Sequence, residues 1–125
     1  MPKIQSVLLI EDDRLIGDMY LRGLQRAGLA VTWKTNGDDG LIAARDNQFD
    51  LMIVDVLLPG KNGLEILEAL RGGEDLVPNT KVIVLTNYDV EQEQRAVAAS
   101  KCDAYLLKAE ITPKRLVEII KQLED

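Results

Sequence analysis

Apolar residues run almost unbroken from Val7 to Ile10 and stop against three carboxylates, Glu11, Asp12 and Asp13. Ile53-Val54-Asp55 repeats the arrangement further along the chain. Unbroken Val, Ile and Leu runs of this length mark strands covered on both faces, as in parallel sheets. Between such runs the apolar positions recur at helical spacing. The pattern predicts β1 at 7–10, α1 at about 13–27, β2 at 30–34, α2 from 36 to about 46, and β3 at 49–54. It continues with α3 from 64 to a stop at Gly72-Gly73, β4 at 81–85, α4 at about 90–99, β5 at 104–107, and α5 from 113 to 123. Leu15, Ile16, Met19, Tyr20 and Leu24 form one stripe of α1, and Leu41 and Ile42 face inward on α2. Gly28 is the expected stop of α1; Thr112 is the expected N-cap of α5, with Pro113 at the first helical position, where its missing N–H costs nothing.

Five strand-helix units in alternation imply an α/β fold, a parallel sheet with helices on both faces and right-handed crossovers. No repeat, low-complexity tract or linker interrupts 1–125, so a single domain is expected, with no output domain attached in this sequence. In open α/β sheets the chemistry lies at the carboxyl ends of the strands. The acids after β1 and β3 therefore converge on one edge. Clustered carboxylates repel, which raises some of their pKa values unless a cation neutralises them. Mg²⁺ suits such an all-oxygen site, because it prefers hard ligands and couples carboxylates to phosphate.

Composition narrows the chemistry. The chain has no histidine, which removes the commonest general base and metal ligand and any phosphohistidine of its own. A net charge of −6 and a pI near 4.7 argue against direct nucleic-acid or anionic-membrane binding and towards a protein partner. Cys102 is the single cysteine; it fits a cytoplasmic protein and reads as an inert residue near a strand start.

The strand ends then present Glu11-Asp12-Asp13, Asp55, Thr86 and Lys108 along one edge. A carboxylate can act as a nucleophile and become an aspartyl-phosphate where a metal and cations absorb the charge on the transferring group. Asp55, at the end of the central run, is the natural nucleophile. Asp12 with Asp55 could hold Mg²⁺, Glu11 could reach a metal-bound water, Lys108 could pair with phosphoryl oxygens, and Thr86 could donate its hydroxyl. Helix capping explains Asp13 as the N-cap of α1, but it explains none of Asp55, Thr86 and Lys108. Trp33 reads as packing at a strand edge, and Tyr105 by itself as a half-buried strand aromatic.

Segments 7–13, 50–65, 82–86 and 103–108 together resemble the response-regulator receiver domain of bacterial two-component signalling, the CheY-like family. The resemblance implies a flavodoxin-like (βα)5 three-layer sandwich with strand order 2-1-3-4-5. It further implies that Asp55 takes a phosphoryl group from a phosphohistidine on a histidine kinase or phosphotransfer protein. Mg²⁺ would be held by Asp12, Asp55 and the backbone carbonyl of Leu57, with Glu11 in the outer shell. Thr86 and Tyr105 would then switch the α4-β5-α5 surface, which a downstream protein effector reads. Such a domain is a signalling phosphoacceptor with weak self-catalysed phosphorylation and hydrolysis, not an enzyme in the usual sense. Ala109 stands where the family usually has proline, and Asn87 where it usually has a smaller residue. The bulky Leu57 and Tyr88 flank the site at positions that tune phosphoryl lifetime, and they imply a long-lived phosphorylated state.

Three other functions fit less well. A phosphorylation-independent interaction module would share the fold but has no use for the complete acid, Thr and Lys set. An aspartyl phosphatase needs a second Asp two residues after the nucleophile, where this chain has Leu57, and a flavin site needs free amides where the first loop is acidic.

Overall fold

A computed structural model describes residues 4–86 and 102–124, so the predicted α4 and the residues Asn87 and Tyr88 lie outside the described residues. The elements are β1 (Ser6–Ile10), α1 (Arg14–Arg26), β2 (Ala30–Lys34), α2 (Gly37–Asp46), β3 (Leu51–Asp55), α3 (Gly63–Arg71), β4 (Lys81–Thr86), β5 (Ala104–Leu107) and α5 (Pro113–Leu123). All five strands pair in parallel in one sheet, in the order β2-β1-β3-β4-β5.

The unbroken apolar runs are explained by the two layers they feed. In a strand, successive side chains point to opposite faces. Leu8, Ile10, Met52, Val54, Val82 and Val84 therefore pack with Leu41, Ile66, Leu67 and Leu70 of α2 and α3. Their alternates Val7, Leu9, Leu51, Ile53, Ile83 and Leu85 pack with Tyr20 and Leu24 of α1 and with Leu116, Ile119 and Ile120 of α5. Burial of each such side chain contributes about 2 kcal/mol, so a polar residue on either face of β1 or β3 would be costly.

The helix ends follow local chemistry. Asp13 caps α1 by accepting from the amides of Leu15 and Ile16 at 2.9 and 3.0 Å. Asn62 and Glu65 form a reciprocal capping box at α3, and Thr112 accepts from the Arg115 amide ahead of Pro113. Gly28 follows α1 with φ of 90°, a conformation that other residues rarely adopt, and it turns the chain into β2.

Three apolar positions depart from the predicted stripes. Leu15 and Met19 of α1 are 86% and 43% exposed, and Ile42 of α2 is 58% exposed. The buried line of α1 runs through Gly17, Tyr20 and Leu24. Leu15 occupies the first turn of α1, off the buried line of that helix. Ile42 lies about 100° around the helix from buried Leu41 and hangs over the open edge at β2 with Thr32 and Lys34.

Candidate functional site

Parallel register sets the site. Ile10 of β1 is level with Val54 of β3, Asp55 is level with Leu85 of β4, and Thr86 is level with Leu107 of β5. One residue beyond these positions come Glu11 and Lys108. Asp55 closes β3 almost wholly buried, its Oδ1 accepting from the Leu57 amide at 3.1 Å and its Oδ2 from Lys108 Nζ at 2.7 Å. The same ammonium lies 2.7 Å from Glu11 Oε1, an ion pair without hydrogen-bond alignment. Lys108 thus bridges two buried carboxylates. It opens a short 3-10 turn, Lys108–Glu110, and no peptide bond among the described residues is cis.

Glu11 is fully buried at the end of β1, with Oε2 accepting from the Asp13 amide at 3.1 Å. Asp12, next to it, is exposed and has no hydrogen bond or ion pair among the described residues. Side-chain oxygens of Glu11, Asp12 and Asp55 all come within 4.8 Å of one another. Mg²⁺ takes hard oxygen ligands, so this all-carboxylate donor set suits the ion in type. Leu57 follows Asp55 by two residues, with its side chain turned outward and 44% exposed. Thr86 ends β4 fully buried, and Tyr105 is half-buried against the α2-α3 layer, its hydroxyl enclosed with no partner among the described residues. Asp13, by contrast, is engaged in the α1 cap.

The electrostatics match the geometry. Burial, with the nearby Asp55 charge adding to it, pushes Glu11 up from 4.5 to about 7, against the Lys108 ion pair and the Asp13 amide. Burial alone would pull the Lys108 ammonium down, but the Asp55 hydrogen bond and the close Asp55 and Glu11 carboxylates outweigh it and hold its pKa above the ordinary value. Cys102 is half-buried, and burial with the Asp103 charge pushes its thiol up to about 11, so it stays protonated and inert as expected.

Glu11 binds its proton more tightly in the folded chain than in the unfolded one. Its contribution is therefore fully present below about pH 4.5 and is lost as the pH rises through about 7. In Mg²⁺-free buffer, Glu11→Gln is expected to flatten this part of the stability curve and to exceed wild type above pH 7 by on the order of 3 kcal/mol. Urea melts of both proteins between acid and mildly alkaline pH check it; parallel curves would contradict it.

Two residues at the site carry contacts that sequence reasoning did not assign. Tyr20, read only as part of the α1 stripe, donates its hydroxyl to the Ile111 carbonyl at 3.1 Å and ties α1 to the segment after Lys108. Trp33, read as edge packing, donates its indole N–H to the Glu11 carbonyl at 2.9 Å. The only sequence signal for either is an amphipathic aromatic placed near a strand or helix end.

The model of the response regulator receiver domain family matches residues 7–121. The chain belongs to the receiver-domain family. The transcriptional regulatory protein QseB of Haemophilus influenzae is 37% identical over 118 residues, which is 94% of this chain and 50% of that protein. The receiver thus spans about half the length of the transcriptional regulators it matches. The CheY-like receiver domain structure from Methanospirillum hungatei superposes with a TM-score of 0.84 at 28% identity, covering 98% of this receiver and 95% of that chain. A response regulator structure from Burkholderia pseudomallei, described with a phosphorylated aspartic acid, a calcium ion and citrate, reaches 0.78 at 26% identity, covering 95% and 70%. Receivers of this family bind Mg²⁺ at an acidic pocket, and the present receiver has such a pocket in Glu11, Asp12 and Asp55.

Proposed function

We propose that residues 1–125 form one receiver domain in which Asp55 accepts a phosphoryl group from a phosphohistidine on a histidine kinase or phosphotransfer protein. The observation that carries this reading is the state of the Asp55 carboxylate, buried at a strand end with one oxygen on Lys108 and the other on the Leu57 amide. The neighbour from Burkholderia pseudomallei, with its phosphorylated aspartic acid, supports it by likeness.

In the transfer, an Asp55 oxygen forms the new O–P bond as the N–P bond of the donor breaks. The imidazole leaves with the electron pair and takes a proton from solvent. Asp12, Asp55 and the Leu57 carbonyl would hold Mg²⁺, with Glu11 in the outer shell. When bound, the ion would supply positive charge against the phosphoryl oxygens. Lys108, already 2.7 Å from Asp55, pairs with a phosphoryl oxygen as the group arrives, and the Thr86 hydroxyl donates to another.

The output follows from that rearrangement. Thr86 and Tyr105 lie on adjacent strands, and the enclosed Tyr105 hydroxyl has no partner among the described residues to anchor one rotamer. A phosphoryl group that draws Thr86 towards Asp55 biases this pair and so the α4-β5-α5 face, which a protein effector reads. A cytoplasmic setting is supported by the single free cysteine. No helix among the described residues is long and apolar enough to cross a membrane.

Intact mass after incubation with acetyl phosphate tests the proposal. A single phosphoryl adduct is expected with Mg²⁺ and none with EDTA, and the rate at which it decays measures the effect of Leu57. An absent adduct from both acetyl phosphate and a phosphohistidine donor would return the chain to the phosphorylation-independent interaction module.

A further inference from the structure

Glu11 is held through its backbone as well as through its carboxylate, and both backbone contacts come from the end of β2. Its amide donates to the Lys34 carbonyl at 3.0 Å, and its carbonyl accepts from the Trp33 indole at 2.9 Å. That carbonyl belongs to the peptide unit joining Glu11 to Asp12. The rotation of this plane sets the direction in which the Asp12 Cα–Cβ bond leaves the chain. Asp12 itself is exposed and has no side-chain partner among the described residues, so the peptide plane is what aims its carboxylate at Glu11 and Asp55.

The indole is in turn held against α1. A Cβ at Gly17 would overlap the Trp33 ring, so the absence of a side chain there lets the indole reach the end of β1. Trp33 therefore links α1, β2 and the acidic loop.

We infer that Trp33 is a positioning residue for the Mg²⁺ site, its indole N–H fixing the Glu11–Asp12 peptide so that Asp12 is oriented to ligate the ion. This rests on the Mg²⁺ site proposed above. Outer contacts of this kind, which orient a ligand without touching the metal, change affinity by about tenfold or more.

The test uses Mg²⁺ alone, titrated calorimetrically into the unphosphorylated protein below its melting transition. Replacement of Trp33 by β-(3-benzothienyl)alanine keeps the bicyclic ring against Gly17 and removes only the donor. Its Mg²⁺ dissociation constant is expected to rise about tenfold, a change that loss of packing alone would not produce in a folded protein. Gly17→Ala, which keeps the donor but displaces it, is expected to weaken Mg²⁺ in the same direction. A benzothienyl variant that binds within about twofold of wild type would overturn the role of Trp33 while leaving the metal site intact. A wild-type protein that binds no Mg²⁺ would overturn the metal reading and this one together.

Discussion

Asp55→Asn is expected to abolish the phosphoryl adduct formed from acetyl phosphate and Mg²⁺, a loss of more than about a thousandfold, since removal of a nucleophile eliminates the covalent route. The substitution is nearly isosteric. Its amide oxygen can still accept from the Leu57 N–H, as Asp55 Oδ1 does at 3.1 Å, so the loop after β3 keeps its anchor. What disappears is the anionic oxygen proposed to attack phosphorus. Intact mass read beside wild type checks it, and hydroxylamine adds a second arm because an acyl phosphate is cleaved by it while phosphoserine and phosphothreonine are not. An adduct that persists in the variant, or that survives hydroxylamine in wild type, would move the phosphoacceptor to another residue.

Lys108→Met should destabilise the Mg²⁺-free protein by about 3 kcal/mol near pH 8, because it leaves two buried carboxylates without their shared cation. The ammonium bridges Asp55 and Glu11 at 2.7 Å on each side, and both acids are inaccessible to water. Below neutral pH Glu11 can take a proton, which relieves both desolvation and repulsion. Groups with a raised folded pKa contribute stability in acid and lose it as pH rises, so the deficit should be largest above pH 7 and smallest near pH 5. Mg²⁺ should restore part of the loss at pH 8 by supplying the missing positive charge. Denaturant melts at the two pH values, with and without the ion, check both statements; a deficit independent of pH would mean that Lys108 matters for packing rather than charge.

The sheet was legible because its residues carry an unambiguous pattern. Val7 to Ile10 and Leu51 to Val54 are apolar at consecutive positions, which only a strand covered on both faces requires, and alternation divides them between two layers. The caps at Asp13 and Thr112 were legible for a local reason: each satisfies amides two or three residues away, and that chemistry needs no tertiary context. The helix stripes were less so. Periodicity marked Leu15, Met19 and Ile42 as apolar, but whether an apolar residue is covered depends on where the neighbouring layer ends.

The acid, Thr and Lys set could be read from the sequence because parallel topology brings all strand ends to one edge, so each strand's last residue becomes a neighbour of the others. The sequence by itself therefore determined the order of the described elements, the parallel α/β class, the placement of Glu11, Asp12, Asp55, Thr86 and Lys108 at one edge of the sheet, and the charge that such a cluster must balance. Tertiary structure alone decided how that charge is shared. It buried Glu11 and left Asp12 exposed, set one ammonium between two carboxylates, and turned Trp33 from edge packing into a donor to the acidic loop. The physical reason is range. Strand runs and caps are encoded within a few residues, whereas desolvation, a shared cation and an indole bond across 22 positions exist only once distant segments have packed together.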